Sequence, residues 1–159
     1  MNAKRLTRIA LGAALMALLS QLALPLGGVP LTLQGGGCAL LGGYLGKKDA
    51  PLAVGIWLLL GAVGAPVFFG FQGGLAHLLG YTGGFLWSFL PLAFLCGCPL
   101  PWCFLGVAVC HLLGTVQFSL VSQNTLWQSF LLGSLPYLAK DLLLAPLGAR
   151  LGKRLNGIR

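Results

Sequence analysis

Between Asp49 and Lys140 the chain runs through positions 50–139 without one aspartate, glutamate, lysine or arginine. A membrane-crossing helix needs about 20 residues to cover a hydrocarbon core of roughly 30 Å, so this interval holds several crossings. Stretches such as residues 52–71 are continuously apolar rather than alternating. A membrane β-barrel requires alternation, so the expected spans are helices. The whole chain agrees: 159 residues, 57% hydrophobic, 25 glycines and only 8% charged, against roughly a quarter charged in soluble domains. Twelve charges cannot keep the surface of such a protein in water. A soluble enzyme, a nucleic-acid-binding domain and a disordered chain are excluded. The net charge of +8 is no nucleic-acid signal, because lysines and arginines sit in short clusters at span ends, where they set topology.

Six segments can be drawn: about 6–24, 33–46, 52–71, 83–95, 104–121, and one from Pro136 to the basic Arg150, Lys153 and Arg154. With the N-terminus inside, Lys4, Arg5, Arg8, Lys47, Lys48, Arg150, Lys153, Arg154 and Arg159 fall on the cytoplasmic side, and only Lys140 does not. The expected fold is one domain over 1–159, an all-α integral membrane protein. It is a compact bundle of six transmembrane helices with long external loops and both termini cytoplasmic. The second segment, holding Gly35-Gly36-Gly37, is short enough to be tilted, broken or partly re-entrant. The first has the basic start of a secretory signal, but Gln21-Leu22-Ala23 is a poor cleavage site, so it is read as a span. Two external loops, 71–84 and 122–135, are apolar. They are either lids over a pocket or interfacial loops anchored by aromatics such as Trp127 and Phe130.

Asp141 is one of two acidic side chains in the protein and stands in the first turns of an apolar helix. A carboxylate at membrane depth costs several kcal/mol unless it faces water or a partner, so its presence points to work. The plain alternative is a pair with Lys140 near a helix start. An ionised carboxylate only accepts, which suits a guest bearing N–H donors. Gln34, Gln72 and Thr82 map to the same external side and converge with Asp141 on a polar site. Catalytic constellations are weak. Asp49 belongs to the opposite face, His77 and His111 lie apart, and no serine carries a nucleophile motif. Cys96, Cys98, Cys103 and Cys110 read as small apolar side chains rather than metal ligands. Ala10 with Ala14, and Ala13 with Ala17, are small-xxx-small pairs that allow close helix approach, within this protein or onto a partner.

Three stretches in order, Val29-Pro-Leu-Thr-Leu-Gln34, Leu41-Gly-Gly-Tyr-Leu-Gly46 and Leu60-Gly-Ala-Val-Gly-Ala-Pro-Val-Phe68, resemble the BioY family. So do Gly80-Tyr-Thr-Gly-Gly-Phe85, after Gly73-Gly74, and Gly133-Ser-Leu-Pro-Tyr137 leading to Asp141. These are substrate-binding S components of energy-coupling factor transporters. The resemblance implies a six-helix protein of the bacterial cell membrane, not an enzyme, that captures biotin from outside. It implies a transmembrane coupling subunit and two ATP-binding subunits as partners, so that ATP is used by them and no cofactor is held here. It further implies that Asp141 accepts from the ureido ring, that Gln72, Gln34 and Thr82 add polar contacts, and that Phe85 packs on the guest. Ala10, Ala13, Ala14 and Ala17 would face the coupling subunit. The family's lysine three positions after that aspartate is Leu144 here. The nearby cation is Lys140, which a helix turns about 100° from Asp141. Another vitamin as ligand, or an assembly protein without a small-molecule site, are the other readings. No phosphate-binding Gly-x-x-x-x-Gly-Lys loop occurs.

Overall fold

The computed structural model describes residues 2–24 and 31–158. The expected turn at Pro25 and Gly27-Gly28, the Val29-Pro30 start of the first motif, and Arg159 lie outside the described residues. The described residues form seven α-helices: α1 (Ala3–Gln21), α2 (Gln34–Ala62), α3 (Leu75–Leu79), α4 (Gly83–Cys96), α5 (Trp102–Ser122), α6 (Leu126–Gly133) and α7 (Leu135–Gly157). A short antiparallel ribbon pairs β1 (Ala23–Leu24) with β2 (Leu31–Thr32). The first helix therefore stops at Gln21, short of the expected Leu24, because the chain turns into this ribbon.

Asn2 opens α1 by accepting a hydrogen bond from the Lys4 amide at 3.4 Å, which satisfies a donor that every helix start leaves open. Inside α2 the backbone at Gly46 takes φ +80° and ψ 171°, a conformation that only a residue without Cβ adopts freely. It divides α2 into arms over 34–45 and 47–62, so the second and third expected segments are joined end to end. The second arm takes up Lys47-Lys48-Asp49, which the sequence reading placed between segments. It ends at Ala62 rather than at residue 71, because Gly64 follows at φ +100° and Pro66 cannot extend a helix. The loop over 122–135 is also revised. Thr125 and Gln128 form a capping box, each side chain bonding the other's amide, and this starts α6. α6 and α7 then meet at a bend of 55°.

Glycines bring α2 and α7 into backbone contact. A Cβ at Gly43 would lie 2.2 Å from the Ala149 carbonyl oxygen, and one at Gly152 would lie 2.2 Å from that of Leu40. The two backbones are close enough that no side chain fits. Ile9, Met16, Leu41, Val54, Trp57 and Leu92 fill the interior. The outer surface is leucine-rich: Leu59, Leu112, Leu120 and Leu143 are each at least 64% exposed. So much exposed apolar surface suits a lipid environment and not water. Among the described residues, taken singly, α5 alone is long and apolar enough to cross a membrane, and the bent α6–α7 pair adds a second if counted as one span.

The four alanines expected to face a coupling subunit do not share one face. Ala13 is buried in the core at 4% exposure and Ala17 is half-buried, while Ala10 and Ala14 look outward. Gly12 turns inward against Ala53 and Leu41. A single residue step rotates a helical side chain by about 100°, so Ala13 cannot join Ala10 and Ala14 on one strip. Ala13 is removed from the expected docking face.

Candidate functional site

A cavity of about 190 Å³ lies at the end of the bundle opposite the Arg5–Asp49 ion pair. Thr32 from β2 and Gln34 and Gly35 from the start of α2 line it. Thr82, Phe85, Leu86 and Phe89 come from α4, Cys110 from α5, and Tyr137, Lys140 and Asp141 from α7. Phe68, Phe69, Gln72 and His77 come from the segment before α4.

That segment is a lid fixed at both ends. The Gln21 side chain bridges it twice, Nε2 donating to Phe68 O and Oε1 accepting from Phe71 N, both at 2.9 Å. Trp57 Nε1 donates to Val67 O at 3.0 Å. Farther on, Trp87 Nε1 and Gln117 Nε2 donate to Leu78 O at 3.1 and 3.0 Å. The lid's own Phe68 and Leu78 side chains are buried in the core. Of the two readings left open for the external loops, this one is a cover over a pocket. The other keeps an interfacial character, since α6 exposes Leu126, Trp127 and Leu132 at 59%, 67% and 61%.

The cavity floor is polar and continuous. Gln34 is 5% exposed; its Nε2 donates to Ser20 Oγ on α1 at 2.9 Å, and its Oε1 accepts from Thr32 Oγ1 at 2.9 Å. Lys140 Nζ donates to Thr32 O at 2.6 Å and stands 2.9 Å from Asp141 Oδ1. Asp141 Oδ2 is 3.3 Å from His111 Nε2 on α5. Neither ion-pair contact of the carboxylate has the direction of a hydrogen bond. Asp141 Oδ1 and both His111 ring nitrogens therefore keep open hydrogen-bonding capacity among the described residues. In a low-dielectric interior such open capacity is costly until a guest satisfies it. Gly35 supplies the room for the carboxylate, for a Cβ there would lie 2.7 Å from Asp141 Oδ1. Phe85 meets the His111 ring edge-on, with centroids 5.9 Å apart and an interplanar angle of 80°.

The structure thus gathers Asp141, Gln34, Gln72, Thr82, Phe85 and Lys140 around one cavity. Lys140 lines it despite the angular offset from Asp141, because its long side chain bends back to the Thr32 carbonyl. Gln34 is largely engaged with Ser20 and Thr32, so it braces the floor. Sequence reasoning passed over His111, Thr32, Tyr137, Phe68 and Phe89. His111 could have been found by the argument that found Asp141, as a titratable side chain deep in an apolar helix. The sequence reading sets it only beside His77 and Cys110, as a weak catalytic or metal candidate.

A helical bundle with a carboxylate floor, aromatic walls and a fixed cover has the form of a receptor for a small guest carrying both polar and apolar parts. The chain belongs to the BioY family, whose model matches residues 1–158. A probable biotin transporter of Pyrococcus horikoshii is 36% identical over 163 residues, covering 99% of each chain. A biotin transporter of Lactococcus lactis is 51% identical over 85 residues, covering 54% of this chain and 47% of its own. One from Thermotoga maritima is 43% identical over 94 residues, covering 59% and 56%. Among solved structures, the crystal structure of the S component for biotin from an ECF-type ABC transporter superposes with a TM-score of 0.88. That chain is 30% identical, with 99% of this chain and 95% of that one covered.

Proposed function

We infer that this protein captures biotin as the S component of an energy-coupling factor transporter. One observation carries the reading: the Asp141 carboxylate, unsatisfied at Oδ1, stands at the floor of an aromatic-walled cavity. A ureido ring offers two N–H donors and a carbonyl, flanked by an apolar ring and chain. Asp141 accepts from the nitrogens, Lys140 or His111 donates to the carbonyl, and Phe85 and Phe89 pack on the apolar parts. Thr82 and Gln72 add polar contacts near the lid.

Six spans follow if the arms of α2 are counted separately and α6 is treated as an interfacial entry to α7. The end bearing Lys47, Lys48, Arg150, Lys153 and Arg154 is then cytoplasmic and the cavity opens outward, as a capture protein of the cell membrane requires. Ala10 and Ala14, small and outward-facing, offer a close-approach strip to a coupling subunit. The energy for uptake comes from ATP-binding subunits elsewhere in the assembly.

A thermal-unfolding screen of the purified protein against biotin, dethiobiotin and other water-soluble vitamins tests the reading. Ligand that binds only the folded state raises stability by mass action, about 2.7 kcal/mol at a hundredfold excess over Kd. Stabilisation by biotin supports the proposal. Stabilisation by another vitamin alone moves the ligand assignment, and no response to any vitamin removes it.

Two substitutions probe the floor more finely. Gly35→Ala sets a methyl group against Asp141 Oδ1, and the end of a side chain yields where a backbone would not. We expect a protein that unfolds within a few degrees of the parent but binds biotin about tenfold more weakly, the equivalent of one hydrogen bond. Calorimetric titration reads this, and undiminished affinity would show that Gly35 does not shape the site. His111→Phe keeps the ring and removes both nitrogens, and roughly a fivefold to tenfold loss of affinity is expected. His111→Gln restores a donor and most of the affinity. Equal affinities for the two variants would leave His111 as packing only.

A further inference from the structure

A second cavity, of about 220 Å³, is set into the outside of the bundle and lined by Arg8, Leu11, Gly12, Leu15, Leu40, Leu41, Tyr44 and Leu155. Arg8, Leu11, Gly12 and Leu15 recur at helical spacing on one face of α1, while Leu40, Leu41 and Tyr44 form the facing wall from α2. The cleft therefore runs lengthwise between two helices, about 10 Å from Arg8 to Leu15 at 1.5 Å per residue. Its walls are apolar, and its one charge is at one end.

Among the described residues that charge has no counter-ion. Arg8 Nε is buried without a hydrogen-bond acceptor among the described residues, and its guanidinium is held over the Tyr44 ring, 5.5 Å from the centroid. The protein has only two carboxylate side chains. Asp49 is committed to Arg5, and Asp141 stands with Lys140 at the opposite end. The Arg8 end is also where the other basic residues gather. Lys153 bonds Cys98 O at 2.7 Å, and Gly97 packs against the Lys47 backbone.

We propose that this cleft binds one anionic phospholipid, its phosphate on Arg8 and an acyl chain along Leu11, Leu15, Leu40 and Leu41. A cation at the mouth of an apolar furrow that runs into the hydrocarbon matches an amphiphile whose anion lies at the interface. A planar guanidinium with open donors suits phosphate. The cleft also lies on a different flank from the outward alanines. At 100° per residue its mean direction on α1 is about 130° from that of Ala10 and Ala14, so a lipid there leaves the alanine strip clear for a protein.

Native mass spectrometry of the purified full chain, titrated with palmitoyl-oleoyl phosphatidylglycerol or phosphatidylcholine, tests this. One phosphatidylglycerol per chain is expected to be retained in preference to phosphatidylcholine. Arg8→Gln should weaken that retention roughly fivefold, the worth of one cation at an anionic surface. Leu15→Trp, which fills the furrow, should abolish it, with thermal unfolding checking that the fold persists. If Leu15→Trp does not fold, Arg8→Gln decides alone. Equal retention of the two lipids, or wild-type retention by folded variants, overturns the proposal. So does a Leu15→Trp protein that keeps its lipid but no longer co-purifies with transporter subunits, since the cleft would then belong to a protein.

Discussion

Asp141→Ala is expected to weaken biotin binding by about ten- to a hundredfold, some 1–3 kcal/mol, while the protein stays folded. The magnitude is that of leaving buried donors without their acceptor. It is set by two unpaired groups at once: the N–H donors of the guest, and the Lys140 ammonium, now held only by the Thr32 carbonyl. Asp141→Asn keeps an oxygen acceptor in the same place and should fall between the two. Titration of biotin into each protein, beside thermal unfolding of the apo forms, reads both effects. Unchanged affinity in Asp141→Ala would mean that the carboxylate is only a structural partner of Lys140 and His111. A single-residue loss of this size also separates binding by Asp141 from general packing, since Phe85 and Phe89 are untouched.

The largest loss of stability is expected from Gly43→Val and Gly152→Leu. Each places a Cβ 2.2 Å from a backbone oxygen of the facing helix, and a backbone cannot swing aside as a side chain can. α2 and α7 would have to move apart along their contact, at a cost of about 3 kcal/mol or more. These helices also carry Gly35 and Asp141, so any protein that survives should bind biotin poorly as well. Gly157→Ala is the control, because a Cβ there meets nothing within 4 Å. A shift of the unfolding temperature in detergent, or loss of the monodisperse peak on size exclusion, is the readout. Parent-like behaviour of Gly43→Val would show that the contact has slack.

The uncharged 90-residue interval made the helical class and the membrane environment legible, because no other fold tolerates such a run. Asp141 was legible for a similar reason: a lone acid in an apolar helix is costly, and cost marks purpose. What the residues did not disclose is three-dimensional. The Gly46 break looked like the end of a span, and only its positive φ shows one helix meeting the next. Thr125 and Gln128 carry a capping-box spacing, yet the segment that holds them reads as a loop, though an apolar one. Lys140 seemed turned away because helical geometry fixes the Cα direction and not the reach of a four-carbon side chain. Ala13, paired with Ala17 by its spacing, reads as part of the docking face because small-residue spacing fixes which residues share a strip, not which strip meets lipid. His111 became visible only when α5 and α7 were brought together.

We propose that the cavity holds biotin by its ureido ring on Asp141. An experimental structure of the protein with bound biotin tests it most directly. The bicyclic ring is expected between Phe85 and the floor, with at least one ureido nitrogen within about 3 Å of an Asp141 carboxylate oxygen. Biotin resting elsewhere on the bundle, or lying in this cavity with its ureido nitrogens turned away from Asp141, would contradict it.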